Sequence, residues 1–166
     1  MKWILIAVGF LVVLVAVAAI IGTMLPKSHV ASRSSRFKQP PQAVWTVITG
    51  PPGWRPELRS FEELPRRDGR RMWKETDKHG QVITYESVEE LAPTRLVTRI
   101  ADPKLPFGGT WTLQITPEAE GCVLNITEAG EIYNPIFRFV SRFFLGYTGT
   151  IEAYLKALHT KFGEVT

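Results

Sequence analysis

An uninterrupted apolar stretch near the amino terminus constrains this chain more than any other feature. Residues 3–21 are apolar throughout, and no charged side chain occurs between Lys2 and Lys27. With a helical rise of about 1.5 Å per residue, the stretch would span roughly 28 Å, close to the hydrocarbon core of a bilayer. The stretch therefore predicts a transmembrane anchor in residues 1–26. It lacks the polar face that a helix packed on so small a soluble domain would need.

A cleaved signal peptide is the alternative interpretation of the same stretch. Lys2 would form its positive start, and Ala16-Val17-Ala18 resembles a cleavage site with small residues at its two key positions. The apolar run continues past this site through Ile20 and Ile21, so cleavage would leave an apolar amino terminus. The length of the run favours a retained, single-pass anchor, and both interpretations remain open.

The flanking charges bear on the side of the membrane that would carry the rest of the chain. The amino terminus and Lys2 precede the stretch, whereas Lys27, Arg33, Arg36 and Lys38 follow it. The positive-inside rule therefore leans towards a cytoplasmic domain, although these residues also fall where a folded strand is expected.

The overall composition excludes several classes of protein. The chain has 20 Lys and Arg against 16 Asp and Glu, a net charge of +4, which is small for a nucleic-acid-binding protein. Cys122 is the only cysteine, so an intrachain disulfide is impossible. The three histidines are far apart and show no ligand-type spacing with Cys122. We therefore expect no metal, no cofactor and no nucleic acid.

Residues 27–166 are enough for one domain with its own core. A first strand is predicted from His29 to Phe37, and a helix begins at Pro40-Pro41, where proline is tolerated in a first turn. From Leu58 to Ile132 the pattern changes to six short strands separated by turn signals such as Asp68-Gly69, which indicates an antiparallel meander.

A long helix is predicted after Asn134-Pro135. Apolar residues from Ile136 to Leu158 recur at steps of three and four, which forms one continuous stripe. Gly146 and Gly149 are poor helix formers and would bend it. The order of elements predicts an α+β fold in which an antiparallel sheet curls around this helix.

Six short motifs carry a resemblance to a known family. They are PQAVW at residues 41–45, WRPEL at 54–58, EELAPTRL at 89–96, GTWTL at 109–113, TEAGE at 127–131 and PIFRF at 135–139. In this order and spacing, over about residues 29–163, the chain resembles the START-like or SRPBCC superfamily, in particular its polyketide cyclase/dehydrase-type branch. The transmembrane segment is a departure from the common soluble form.

The resemblance implies the helix-grip fold, with a seven-stranded antiparallel sheet around a C-terminal helix and an apolar cavity between them. It also implies binding of lipids, sterols, polyketides or other apolar molecules. Residues of the inward strand faces and the helix stripe are the candidate cavity lining. These are Trp54, Trp73, Tyr85, Thr98, Trp111, Leu113, Ile126, Glu128, Phe143 and Tyr147. Core packing is the competing interpretation for each aromatic residue.

Glu128 is the candidate that points most directly to chemistry. Cys122, Leu124 and Ile126 set the inward face of the last strand, and Glu128 follows on the same face. A carboxylate there is a candidate general acid or base. The alternatives are a solvated position at the rim of the sheet or an ion pair with an arginine.

The sequence therefore favours a membrane-anchored binding module for an apolar small molecule or lipid. A cyclase- or dehydratase-like enzyme that acts on an apolar carbonyl compound through Glu128 is the first alternative. A structural or adaptor domain whose cavity is filled by its own side chains is the second, which the five tryptophans and nine phenylalanines support. The ligand identity and the oligomeric state do not follow from the sequence.

Overall fold

The computed structural model describes residues 1–164 of the chain. The helices are α1 (Lys2–Met24), α2 (Pro41–Thr49), α3 (Pro135–Val140) and α4 (Gly149–Phe162), with a π-helical turn at Ser141–Leu145 between the last two. The strands are β1 (Ser28–Phe37), β2 (Leu58–Arg67), β3 (Arg70–Asp77), β4 (Val82–Leu91), β5 (Arg95–Ile100), β6 (Phe107–Glu118) and β7 (Gly121–Ile132).

All seven strands form one antiparallel sheet in the order β1-β7-β6-β5-β4-β3-β2. Strands β2 to β7 follow one another as a meander, and β1 forms the edge of the sheet beside β7. Because side chains alternate along a strand, the predicted inward residues Leu113, Ile115 and Ile126 share one face and are almost fully buried. The predicted seven-stranded sheet with a C-terminal helix is confirmed.

The core lies between this inner face and helices α2 and α4. Val44 and Trp45 contribute from α2, and Ile151 and Leu158 contribute from α4. At the end of the sheet farthest from α1, the Phe37 ring stacks on His159 with ring centres 4.2 Å apart. This end of the interior is therefore closed by packed side chains.

The prediction of one continuous C-terminal helix from Ile136 to Leu158 is wrong. The helix stops at the π-helical turn, and Gly146 adopts φ 71° and ψ −169°, a backbone conformation that is open essentially only to glycine. Of the two helices on either side of this turn, only α4 packs in the core. Phe143 is 57% exposed on the outside, so it does not line the interior as expected.

Helix α1 is apolar throughout and projects from the domain. By length and composition it can cross a membrane, a test that a signal sequence also passes. Its side chains from Trp3 to Val17 are exposed, whereas Gly22 near its end is buried against α3. The only residues between α1 and the sheet are Leu25, Pro26 and Lys27.

Candidate functional site

The half of the interior nearest α1 contains two clusters of polar and aromatic groups. A row of inner-face residues crosses the sheet here from Glu128 in β7 through Trp111 in β6 and Thr98 in β5 to Ser87 in β4. Leu113 and Ile126 form the next, fully apolar row. The apolar row belongs to the packed core, and the polar row beside it belongs to the candidate site.

Glu128 lies at the centre of the first polar cluster. Its Oε1 is 3.1 Å from Nε2 of His29, and the Trp111 indole N–H donates to its Oε2 at 2.8 Å. The His29 ring stacks on Tyr147 with ring centres 4.0 Å apart. Gly130 makes this arrangement possible, because a Cβ at that position would overlap the His29 ring.

A second polar cluster surrounds Arg55, which follows Trp54 in the connection between α2 and β2. Nη1 of Arg55 donates to both carboxylate oxygens of Glu75, at 3.0 and 2.9 Å, and its Nε donates to Glu57 at 2.6 Å. The Trp73 indole N–H also donates to Glu75, at 3.1 Å. The buried carboxylate is thus balanced by a guanidinium group and an indole.

Two tyrosines, Tyr85 and Tyr154, lie between these clusters. Burial raises the pKa of both hydroxyls, and the negative charge of Glu75 raises it further. For Tyr85 the charge of Glu128 acts in the same direction, while Arg55 opposes it. Both hydroxyls therefore stay protonated at neutral pH and are able to donate a hydrogen bond.

Aromatic side chains pack around these polar groups. The ring of Tyr154 meets Trp54 edge to face at 5.1 Å and Trp111 at 5.7 Å, and the Arg55 guanidinium lies 5.4 Å from its centre. Trp73 and Tyr85 stack with ring centres 5.6 Å apart. Arrangements of this kind, apolar walls with a few fixed polar groups, are typical of small-molecule sites.

Nine of the ten residues proposed from the sequence lie on the inner side of the fold, and Phe143 does not. Sequence reasoning missed five residues of the site, namely His29, Arg55, Glu57, Glu75 and Tyr154. The signal for Glu75 was present, because it stands two residues after Trp73 and so shares its strand face. The sequence around His29 does not indicate its role, because His29 contacts Glu128 only through the pairing of β1 with β7.

A separate group of charges lies on the outer face of the sheet. The nearly buried Glu86 accepts hydrogen bonds from Arg99 and lies 3.5 Å from Arg67 and 3.8 Å from Arg70. Burial opposes ionisation, but the hydrogen bond and charge of Arg99 and the nearby arginines outweigh it and lower the Glu86 pKa. Arg67, Glu86 and Arg99 line an open cleft of about 550 Å³ beside Gly108 and Gly109.

The described residues contain no group of three or more His, Cys, Asp and Glu side chains able to hold a metal ion. The inner site contains the protonated hydroxyls of Tyr85 and Tyr154 and a contact of 3.1 Å between His29 Nε2 and Glu128 Oε1. The carboxylates of Glu75 and Glu128 already have hydrogen-bonding partners. An uncharged molecule therefore fits the electrostatics of the site better than an ionic one.

Residues 28–163 match the family model described as "Polyketide cyclase / dehydrase and lipid transport". The chain belongs to this family. The branch predicted from the six motifs is therefore confirmed, and α1 lies outside the matched residues. No curated protein matches the sequence.

Several solved structures share the fold of this chain. Norcoclaurine synthase from Thalictrum flavum has a TM-score of 0.63 and 15% identity, over 83% of this chain and 88% of that chain. A protein from Thermus thermophilus has a TM-score of 0.63 and 22% identity, over 81% and 95%. The di-domain ARO/CYC StfQ from the steffimycin biosynthetic pathway has a TM-score of 0.63 and 17% identity, over 82% of this chain and 52% of that chain. At these identities the likeness concerns the fold alone.

Proposed function

We propose that this family member is a membrane-anchored module that binds an uncharged apolar molecule or lipid between the sheet and α4. The observation that carries the proposal is the position of the two polar clusters. They lie on the inner face at the end of the sheet where β1 follows α1, not at the opposite end, which Phe37 and His159 close. His29, which contacts Glu128, stands only two residues after Lys27.

The chemistry of the site favours a mostly apolar ligand that carries one or two oxygen atoms. The walls are aromatic, and aromatic faces stabilise a ligand mainly by excluding water. The protonated hydroxyls of Tyr85 and Tyr154 would donate to a carbonyl or hydroxyl oxygen of the ligand. A ligand without such an oxygen would leave these donors unsatisfied, which costs about 1–3 kcal/mol for each buried group.

Retention of α1 as an anchor is part of the proposal, with the side of the membrane left open. The end of α1 is covered by α3, and the Arg138 guanidinium donates to the Leu25 carbonyl at 2.8 Å. Cleavage at Ala18 would remove the exposed apolar turns of α1. Only the last six residues of the helix would then remain to pack against α3. An interface built around the end of α1 favours a helix that stays attached.

Binding is tested with the full chain, purified in detergent or nanodiscs and analysed by mass spectrometry for apolar molecules that co-purify. Tyr85→Phe and Tyr154→Phe remove the hydroxyls and keep the rings, and we expect each to lose most of the bound material. Tyr133→Phe is the matched control, because Tyr133 is 45% exposed and hydrogen-bonded to Glu131 outside the site. Absence of any apolar molecule from the wild-type chain, or equal retention by all variants, would contradict the proposal.

Acid–base catalysis is a second candidate, favoured by the contact between His29 and Glu128. An imidazole and a carboxylate 3.1 Å apart can pass a proton between a substrate and water. The reaction that suits them is removal of a proton next to the carbonyl group of an apolar ketone or aldehyde. The proposal is supported by norcoclaurine synthase from Thalictrum flavum, which has the same fold and was solved in complex with dopamine and hydroxybenzaldehyde, an aromatic aldehyde.

This candidate is tested by following deuterium exchange next to the carbonyl of a panel of apolar ketones and aldehydes by NMR. Catalysed exchange should be lost in Glu128→Gln and in His29→Gln. It should persist in Glu131→Gln, a carboxylate on the outer face of the same strand. Exchange no faster than in buffer for every compound would leave binding as the function.

A further inference from the structure

The end of α1 and the short helix α3 form a close helix–helix contact. Gly22 is buried, and a Cβ at that position would overlap the carbonyl group of Pro135. Ala18 and Ala19, one turn earlier, are partly covered. Small residues spaced four apart, as Ala18 and Gly22 are, allow two helix backbones to approach closely. The contact therefore involves the last two turns of the proposed membrane helix.

Arg138 fixes this contact from the side of α3. Its side chain is only 6% exposed, and its Nη1 donates to the Leu25 carbonyl just beyond the end of α1. A positive charge at this position also complements the negative end of the helix dipole. The Ile132 N–H donates to the Lys27 carbonyl at 2.8 Å, which joins the connection to the last strand. The connection that follows α1 is thus held to the domain by two hydrogen bonds, one at Leu25 and one at Lys27.

The other side of α3 and the π-helical turn is strongly apolar and uncovered. We call this surface the α3 patch. Its members and their exposed fractions are Ile136 39%, Phe137 42%, Phe143 57%, Phe144 75% and Leu145 64%. Apolar side chains of this size gain free energy when their exposed surface is removed from water. An apolar surface of this kind beside a membrane helix indicates that something apolar covers it.

The depth of the contact identifies what covers the α3 patch. Ala18 and Leu25 are seven positions apart, so α3 lies along about 10 Å of α1. Ala18 belongs to the uncharged stretch, whereas Lys27 is the first charged residue after it. If α1 crosses a bilayer, α3 therefore lies between the edge of the hydrocarbon core and the headgroups.

The positive charges of α3 and the π-helical turn agree with a position near the headgroups. Between Asn134 and Glu152 the chain contains Arg138 and Arg142 and no acidic residue. Arg142 is exposed next to Phe143, and Lys27 is exposed at the start of β1. Aromatic and basic side chains together are typical of segments that lie in the interface of anionic membranes.

We infer that α3 and the following π-helical turn form a second membrane contact, with the α3 patch inserted into the interfacial layer of the bilayer that α1 crosses. This inference rests on the proposed anchoring by α1. It also connects the bilayer to the candidate site, because Tyr147, two residues after the patch, stacks on His29. A molecule in the outer part of the acyl layer would thus meet the chain beside the inner polar clusters.

The inference is tested with single cysteines labelled with an environment-sensitive fluorophore in the full chain, reconstituted in phosphatidylcholine vesicles with about one part in four of phosphatidylglycerol, an anionic lipid. Phe144→Cys reports on the α3 patch, and Val13→Cys reports on α1. Leu91→Cys is the matched control, since Leu91 is 55% exposed at the end of β4 away from α1. The native Cys122 is fully buried, and unlabelled wild type gives the background.

One set of vesicles contains lipids brominated on the upper part of the acyl chain and a second set contains lipids brominated near its end, because bromine quenches the fluorophores that it touches and Val13 lies near the middle of the apolar stretch. We expect loss of emission at positions 13 and 144 and no loss at 91. Quenching at 13 without quenching at 144 would overturn the inference and leave the anchoring intact, and a blue-shifted but unquenched label at 144 would assign the patch to a protein partner or a second copy. No quenching at position 13 would contradict the anchoring itself.

Discussion

Helices α3 and α4 carry the same spacing of apolar residues but are covered by different surroundings. Helix α4 inserts Ile151 and Leu158 into the curled sheet, where both are fully buried. Helix α3 and its π-helical turn hold a polar side chain, Arg138, against α1 and leave Phe143 and Phe144 exposed. Periodicity therefore identifies which face of a helix is apolar, whereas the rest of the fold decides what that face meets.

The largest expected difference between the two regions is in core stability. Leu158→Ala removes a side chain with 0% exposure and should cost about 2–5 kcal/mol of unfolding free energy, through lost burial and the cavity left behind. Phe144→Ala, at 75% exposure, should change it by less than about 0.5 kcal/mol. Chemical denaturation in detergent measures both. Similar losses would show that the patch packs against protein.

The boundary between the regions can be tested at Gly146. Gly146→Ala places a Cβ on a backbone with φ 71° and ψ −169°, which should cost about 1–3 kcal/mol. Gly149→Ala is the matched control, because that glycine lies in α4 with open space around its Cβ position and should gain up to about 1 kcal/mol. Thermal unfolding distinguishes the two. A stabilising effect of alanine at 146 would favour a continuous helix.

The attachment of α3 to α1 can be loosened without touching the sheet. Gly22→Leu overlaps the Pro135 backbone and should weaken the contact by about 1–3 kcal/mol, a factor of about 5–150 in the docked population. Gly9→Leu is the control, since nothing lies within 4 Å of that position. Hydrogen exchange of the α3 amides should accelerate only in the first variant. Equal exchange in both would show that α3 does not depend on α1.

The smallest expected effect concerns the starts of the two helices. The Asn134 side chain accepts a hydrogen bond from the Phe137 N–H at 3.0 Å, so Asn134→Ala should cost about 1 kcal/mol. Thr148 precedes α4 without a side-chain cap, and Thr148→Ala should change stability by less than about 0.5 kcal/mol. Denaturation midpoints of the two variants provide the comparison. A larger loss at Thr148 would mean that α4 depends on its start more than on its buried face.

Much of the fold follows from local patterns in the sequence. Alternation in β6 placed Trp111 and Leu113 on one face, and the two-residue period of β7 put Glu128 on the inner face with Ile126. The interruption at Gly146 was not predictable from spacing, because the apolar steps continue through it. A backbone torsion angle, not the pattern of side chains, ends the helix there.

The candidate site was less predictable than the sheet, since its contacts join distant parts of the chain. His29 and Glu128 are 99 residues apart, and Arg55 reaches Glu75 from a connection without regular structure. Charged residues in a sequence indicate solvated surface by default. Their pairing inside the fold becomes visible only once the strand order is known.

The shortness of the connection after α1 limits how far the domain can travel. Leu25, Pro26 and Lys27 can extend by at most about 10 Å, and the hydrogen bonds of Lys27 and Leu25 hold even that length in place. A protein that carries lipid from one membrane to another must either diffuse freely or have a long flexible connection to its anchor. With α1 in a bilayer, this domain is restricted to exchange with its own membrane and with molecules that come to it.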